Sequence, residues 1–157
     1  MNANSLVRHF ARKGLTLATA ESCTGGLIAG AITAIPGSSS VFTHGFVTYA
    51  NTAKTQMLDV PETMLATDGA VSEPVARAMA AGARARSGAD YAVSTTGIAG
   101  PDGGTAEKPV GTVWFGLAGP DGTQAYHQLF QGSREAVRAQ AVTFALTLLE
   151  QQGTKYE

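Results

Sequence analysis

A chain of 157 residues, 44% hydrophobic and 15% charged, is long enough to bury one core and too apolar to be disordered. A formal net charge of −1 argues against a nucleic-acid partner, and no apolar run approaches the roughly 20 residues of a membrane-spanning helix. A single cysteine excludes an internal disulfide and makes the cytoplasm the default compartment. We therefore expect one globular, cytoplasmic domain over residues 1–157.

The first half of the chain alternates helical and strand patterns. Leu6, Val7 and Phe10 share one face of a first helix, and Asn51 is a suitable N-cap for a later one. The predicted elements are a helix ending at Gly14, a strand at 15–20, a short helix at 26–34, a strand at 41–50, a helix from Asn51 and a short helix after Pro61.

The second half predicts a long helix, a buried strand, a hairpin and a final amphipathic helix. The predicted elements are a helix at 72–88, a strand at 90–97, a loop at 97–111, the hairpin strands "TVWFGLA" and "TQAYHQLF" around "GPDG", and a helix at 133–152. Strands that alternate with helices before a late hairpin predict a single three-layer α/β/α domain. Its sheet is mixed, with about five strands including the C-terminal hairpin.

The turn "ESCTGG" follows the first predicted strand and opens a helix. The carboxyl end of a strand is where ligands bind in open α/β sheets, and free N–H groups of a helix can hold a phosphate or an oxyanion. Ser22 or Cys23 can attack a carbonyl there, although Cys23 has no nearby histidine and is predicted to be buried. The alternative is that Ser22 or Thr24 only caps the helix.

A serine nucleophile needs a base, and none of the three histidines lies in a glycine-rich loop. A lysine can serve if burial or positive charge lowers its pKa. Lys54 in "TYANTAK" falls in the first turn of a predicted helix, and Tyr49 precedes it by five residues. The alternative is a solvated Lys54 and a Tyr49 that packs at the sheet edge.

The loop "TTGIAGPDGG" can cradle a phosphate or ribose through its backbone, with Gly97 and Gly100 among its glycines. It matches neither of the common nucleotide-binding glycine motifs. Asp102 and Glu107 are the carboxylates that a metal would use, but no histidine or cysteine accompanies them, so we expect no metal.

Two further segments offer polar groups. Arg134 in "GSRE" begins the final helix and can add a guanidinium to a phosphate site. Ser39 in "GSSS" can donate a hydroxyl. The alternatives are a surface arginine and an ordinary turn between a helix and a strand.

Taken together, several long segments resemble one family. They are "TLATAESCTGG", "IPGSSSVFTHGFVTYANTAK", "GAVSEPVARAMA", "STTGIAGPDGGTAEKPVGTVWFGLA" and "SREAVRAQA". In this order they are similar to the CinA C-terminal-domain family, whose members include nicotinamide-nucleotide amidases. The resemblance runs from about residue 5 to residue 150 and is to the stand-alone form, without the extra N-terminal domain of longer members.

The resemblance implies hydrolysis of the carboxamide of nicotinamide mononucleotide to nicotinate mononucleotide and ammonia, without metal or cofactor. It implies a serine, a lysine and a tyrosine as catalytic groups, at the positions of Ser22, Lys54 and Tyr49. The positions that resemble the family's substrate contacts are Ser39, Thr96 and Arg134. Some relatives carry serine at position 96, so the hydroxyl is kept, and Ser39 is the rival nucleophile.

The mechanism expected from these residues passes the Ser22 proton to Lys54, directly or through Tyr49. The backbone N–H groups expected to hold the oxyanion are those of Thr24, Gly25 and Gly26. The partners expected are a small nucleotide substrate and, in a homodimer, a second copy of the chain; no membrane or nucleic acid is expected. The alternative function is a non-catalytic nucleotide-binding module, which would use the same loops without needing Lys54.

Overall fold

The computed structural model describes residues 2–154, with side chains described up to residue 152. The helices are α1 (Ala3–Lys13), α2 (Leu27–Thr33), α3 (Asn51–Leu58), α4 (Glu62–Asp68), α5 (Glu73–Ser87) and α6 (Arg134–Thr154). The strands are β1 (Leu17–Glu21), β2 (Phe42–Val47), β3 (Tyr91–Gly97), β4 (Thr112–Gly119) and β5 (Gly122–Leu129). A short 3-10 turn at Ser38–Ser40 precedes β2.

The five strands form one mixed sheet in the order β2-β1-β3-β4-β5. Strand β1 pairs in parallel with β2 on one side and with β3 on the other. Strands β4 and β5 are the antiparallel hairpin that the sequence predicts. The carboxyl ends of β2, β1 and β3 therefore meet at one edge of the sheet.

Helices cover both faces of the sheet, which confirms the predicted three-layer arrangement. On one face, α1, α2 and α6 enclose a core that includes Phe10, Ile28 and Leu149. On the other face, α3, α4 and α5 enclose a second core that includes Leu58 and Met79. In residues 2–154 no helix is both long and apolar enough to cross a membrane.

Three local predictions differ from the structure, and one of them is the strand at 41–50, which ends at Val47. Helix α3 is capped by Ala50, which has extended backbone angles, so Asn51 is its first residue rather than its N-cap. Strand β1 starts at Leu17 rather than residue 15, because the Thr16 N–H donates to the Asp90 carboxylate at 2.8 Å instead of to a neighbouring strand.

Candidate active site

Ser22 and Lys54 meet at the edge where the parallel strands end. Ser22 directly follows β1, and its N–H donates to the carbonyl of Thr95 on β3 at 2.9 Å. Lys54 comes from the first turn of α3, on the neighbouring side of β1. Its Nζ lies 3.1 Å from Oγ of Ser22. The fold thus joins two residues that are 32 positions apart in the chain.

Three oxygens surround the Lys54 amine. Besides Oγ of Ser22, Nζ donates to the carbonyl of Thr48 at 3.0 Å and to that of Tyr49 at 3.2 Å. A neutral amine has two N–H donors and one lone pair. Because the two carbonyls accept the two donors, the lone pair is left for the hydroxyl proton of Ser22. The arrangement is that of a base beside a nucleophile.

Burial favours the neutral form of this lysine. Lys54 is 1% exposed, so the alternative of a solvated side chain is wrong. Removal from water penalises the charged ammonium and lowers the pKa of Lys54 below its ordinary value.

Cys23 is unsuited to nucleophilic attack, although it adjoins Ser22. It is 8% exposed, which confirms its predicted burial. Burial raises the pKa of the Cys23 thiol to about 11, so the thiol stays protonated at neutral pH.

The N-terminus of α2 is capped by Glu21, the first residue of the turn "ESCTGG", for which the sequence predicts no role. The Glu21 carboxylate accepts from the N–H groups of Ile28 at 2.9 Å and Ala29 at 3.0 Å, and from the hydroxyl of Thr24 at 2.6 Å. The alternative in which Ser22 or Thr24 caps the helix is therefore wrong. The same contacts leave those two N–H groups unavailable to a substrate anion.

Some hydrogen-bond donors of the turn after Ser22 already have partners inside the protein. The Thr24 side chain is fully buried and bonds inward, to Glu21 and to the Thr95 hydroxyl at 2.8 Å. The Gly25 N–H donates to the carbonyl of Ser22 at 3.0 Å. Of the three N–H groups predicted to hold an oxyanion, Thr24 and Gly26 are thus the better candidates.

Tyr49 and Arg134 form a second contact across the site. Arg134, the first residue of α6, donates through Nη2 to the Tyr49 hydroxyl at 3.1 Å and through Nη1 to the Gly100 carbonyl at 2.8 Å. The Tyr49 side chain is exposed, and its carbonyl rather than its hydroxyl contacts Lys54. Since Nζ contacts Oγ of Ser22 directly, no relay through the tyrosine hydroxyl is needed.

A cleft of about 290 Å³ lies between the turn that contains Ser22 and Cys23 and the glycine-rich loop. Asp102, one of the two carboxylates of the glycine-rich loop, lies in its wall. The described residues include no group of three or more His, Cys, Asp or Glu side chains arranged to hold a metal ion. The lining residues are Ser22, Cys23, Tyr49, Gly97, Ile98, Ala99, Gly100, Asp102, Gly103 and Arg134.

Two predicted substrate contacts lie elsewhere. The hydroxyl of Thr96 is buried and donates to the carbonyl of Ala70 at 2.9 Å. Ser39 is in the 3-10 turn before β2, whereas Tyr49 follows β2. Because a six-residue strand spans about 20 Å, Ser39 is at the opposite end of the sheet from Ser22 within one chain.

Solved structures share this fold over almost the entire chain. The competence/damage-inducible protein CihA of Agrobacterium tumefaciens superposes with a TM-score of 0.92 at 48% identity, covering 94% of this chain and 90% of that one. The competence damage-inducible protein A (ComA) of Klebsiella pneumoniae subsp. pneumoniae MGH 78578 gives 0.92 at 37% identity, with both chains fully covered.

Curated relatives are of two lengths. The chain spans about a third of several, such as the CinA-like protein of Geotalea uraniireducens, which is 63% identical over 82% of this chain and 31% of its own length. Others are covered almost fully. The nicotinamide-nucleotide amidohydrolase PncC of Enterobacter agglomerans is 61% identical over 85% of this chain and 82% of its own length.

The nicotinamide-nucleotide amidohydrolase PncC of Shigella flexneri is 57% identical over 89% of this chain and 86% of its own length. A family model described as the CinA C-terminal domain matches residues 2–152. The match takes in β1, the turn with Ser22, α3 with Lys54 and α6 with Arg134. The chain therefore belongs to the CinA C-terminal domain family.

Proposed function

We propose that the protein is an amidohydrolase that converts nicotinamide mononucleotide and water to nicotinate mononucleotide and ammonia. The observation that carries the proposal is the 3.1 Å contact between Nζ of the buried Lys54 and Oγ of Ser22. The names of two relatives, the nicotinamide-nucleotide amidohydrolases of Enterobacter agglomerans and Shigella flexneri, indicate the substrate.

The first half of the reaction forms an acyl-enzyme. Neutral Lys54 takes the hydroxyl proton of Ser22 while Oγ attacks the carboxamide carbon, and the carbonyl π electrons move to oxygen. Backbone N–H groups of Thr24 and Gly26 stabilise the resulting oxyanion. When the tetrahedral intermediate collapses, the C–N bond breaks and Lys54 returns its proton to the leaving nitrogen, which departs as ammonia. Tyr49, whose hydroxyl borders the cleft, is the second candidate for this donor.

The second half repeats the chemistry with water. Lys54, neutral again, takes a proton from a water molecule that attacks the ester carbon. The ester C–O bond then breaks, Oγ of Ser22 recovers a proton from Lys54, and nicotinate mononucleotide leaves. Ser22 is favoured over Ser39 as the nucleophile, because Ser39 lies at the other end of β2 and has no contact with Lys54.

The phosphate of the substrate is assigned to the outer part of the cleft. Arg134 uses one N–H of Nη1 and one of Nη2 inside the protein, and a guanidinium has five N–H donors. The remaining donors point to a role in holding a phosphate. Gly97 and Gly100 line the same cleft, and a Cβ at either position would overlap Val113 or Val110 of the neighbouring chain segment.

The direct test is ammonia release by metal-stripped protein given nicotinamide mononucleotide, beside the variants Ser22→Ala and Lys54→Ala. We expect release by the wild type alone. Full activity of Ser22→Ala would remove that residue as nucleophile. No release by the folded wild type, despite bound nucleotide, would leave the binding-module function instead.

The binding module can be separated from the enzyme at one residue. A module that only binds nucleotide has no use for a buried amine beside a serine, and it would tolerate Lys54→Met. We expect that variant to bind nicotinamide mononucleotide in calorimetry and to release no ammonia. Unchanged ammonia release from Lys54→Met would argue against the lysine as base.

The location and assembly of the protein are also proposals. A single buried cysteine is consistent with a reducing, cytoplasmic compartment. Val47 on the edge strand β2 and Leu27 at the start of α2 are exposed apolar side chains, which is consistent with a homodimer. A contact between Ser39 and substrate bound at Ser22 would require such a second copy.

A further inference from the structure

Arg138 contacts the backbone of the turn that follows Ser22, from the face of the sheet that α6 covers. It lies one helical turn after Arg134 on α6, so both guanidinium groups reach the same end of the sheet. Its Nε donates to the carbonyl of Cys23 at 3.1 Å, and its Nη2 donates to that of Thr24 at 3.4 Å. These are the two carbonyls that directly follow Ser22 in the chain.

The peptide geometry links the first of those carbonyls to one of the oxyanion donors. The Cys23 carbonyl and the Thr24 N–H belong to one trans peptide, in which they point in opposite directions. Because Arg138 holds the carbonyl toward α6, the Thr24 N–H is directed away from α6. Helix α3, which carries Lys54, packs on the other face of the sheet from α6.

Hydrogen bonding to a peptide carbonyl also changes its N–H. A donor at the oxygen polarises the amide, so that the N–H of the same peptide becomes a stronger donor. A charged donor does this more than a neutral one. Arg138 thus both orients and strengthens the Thr24 N–H.

The guanidinium of Arg138 packs against the turn at Gly25. Gly25 has a φ of +57°, a left-handed conformation that side chains rarely adopt. A Cβ at Gly25 would lie 3.4 Å from Nη2 of Arg138. The guanidinium therefore packs in van der Waals contact against this residue of the turn.

We infer that Arg138 is a positioning residue that orients and polarises the Thr24 N–H as an oxyanion donor for the reaction at Ser22. The inference rests on the proposed amide hydrolysis. An oxyanion donor acts mainly in the transition state, so its weakening lowers kcat and leaves KM nearly unchanged.

The test compares Arg138→Met, Arg138→Lys and the wild type in steady-state ammonia release across pH. We expect Arg138→Met to lower kcat about tenfold or more, with KM within about twofold. Arg138→Lys should recover part of the loss, because one charged donor can still reach a carbonyl. The control is Arg86→Met, which removes an exposed guanidinium that bonds Asp59 at 2.9 Å, and it should leave kcat unchanged.

The pH profile separates this role from a general loosening of the site. If Arg138 only polarises the turn, the Ser22–Lys54 contact survives and the limb over which the rate rises with pH stays where it is in the wild type. A limb that moves together with kcat and the melting temperature would overturn the inference. So would an unchanged kcat in Arg138→Met.

A second readout does not depend on nicotinamide mononucleotide. A fluorophosphonate probe labels an activated serine, and its phosphoryl oxygen occupies the place of the oxyanion. We expect Arg138→Met to slow labelling of Ser22 about tenfold. Equal labelling rates would overturn the inference. A wild type that is labelled but releases no ammonia would overturn the proposed substrate and leave the role of Arg138 to be judged by labelling.

Discussion

Lys54 has a long, polar side chain that is buried in the interior, which is energetically unfavourable for an amine. A buried amine is stable only if its hydrogen bonds are satisfied and its charge is suppressed. Two carbonyls satisfy its donors, and burial lowers the pKa of Lys54. We therefore expect kcat/KM to rise with pH as Lys54 loses its proton, and the midpoint of this limb to lie below the free lysine pKa of about 10.4. Ammonia release measured from pH 6 to 10 tests this, and a flat profile would contradict it.

The same lowered pKa predicts how stability varies with pH. Between the folded pKa of Lys54 and about 10.4, the unfolded chain binds a proton that the folded chain does not. The free energy of unfolding of the wild type should therefore rise with pH through this window, relative to Lys54→Met, and the difference should level off below it. Urea unfolding at several pH values measures this difference.

The matched control for that series is Lys108→Met, whose ammonium donates to the carbonyl of Asp68 at the surface. Its difference from the wild type should stay constant over the pH window in which Lys54→Met diverges. Parallel curves for both variants would mean that burial of Lys54 does not set the effect.

At the scale of elements, Glu21 ties the end of β1 to the start of α2. Its buried carboxylate accepts from two helix N–H groups and one hydroxyl. Glu21→Gln removes the charge and places an amide NH2 group where a carboxylate oxygen accepted hydrogen bonds. We therefore expect it to lower the free energy of unfolding by about 1–3 kcal/mol. Urea unfolding gives this value. Glu73→Gln, which loses a surface ion pair with Arg77 at 3.0 Å, should change it by about 0.5 kcal/mol or less.

Two helical glycines should respond oppositely to alanine. At Gly30 in α2 a Cβ would meet nothing within 4 Å, so Gly30→Ala should stabilise the fold by about 0.5–1 kcal/mol. At Gly82 in α5 a Cβ would overlap the carbonyl of Leu58, and Gly82→Ala should destabilise it by about 1–3 kcal/mol. Since Leu58 ends α3, only Gly82→Ala should also lower turnover. Unfolding midpoints and ammonia release check both variants, and equal midpoints would contradict the argument.

Elements with a strong local signal could be predicted from the sequence. Gly14 and Gly88, where two predicted helices end, both adopt the left-handed conformation that favours glycine. The boundary of β1 was missed because Asp90, 74 residues away, takes the N–H of Thr16. A partner so distant in the chain cannot be identified from the local sequence pattern.

Some residues of the candidate site could be predicted from the sequence, but their contacts could not. Ser22 and Lys54 stand out as a nucleophile in a turn and a lysine in a first helical turn. The contact of Arg138 with Cys23 spans 115 positions, and no sequence pattern near either residue predicts it. The role of Glu21 depends on which way the strand faces α2, and the turn sequence alone cannot specify that.

At the scale of the whole molecule, the topology explains why the site lies where it does. The chain leaves β1 for β2 on one side, and later returns to β3 on the other. Such a reversal opens a crevice at the carboxyl ends of the strands, the usual ligand site in open α/β sheets. Ser22, Tyr49 and Gly97 sit at the ends of these three adjacent strands, so one turn, one helix start and one glycine-rich loop share a cleft.

The sheet also has two open edges, β2 and β5, and a second copy of the chain can pair with either. We expect a homodimer through β2, because Val47 on that strand is 47% exposed and lies next to Gly26, whose chain neighbour Leu27 is also exposed. A lysine on an edge strand opposes pairing, so Val47→Lys should shift the mass from about two copies of the 16.1 kDa chain to one. Light scattering after gel filtration measures this mass.

The matched variant is Leu129→Lys, which places the same charge on β5 at a side chain that is 50% exposed. If β2 forms the interface, Leu129→Lys stays dimeric while Val47→Lys becomes monomeric. The opposite result would move the interface to β5. It would also remove the route by which Ser39, at the amino end of β2, could reach substrate in another copy, because antiparallel pairing of two β2 strands is what brings that end beside the partner's cleft.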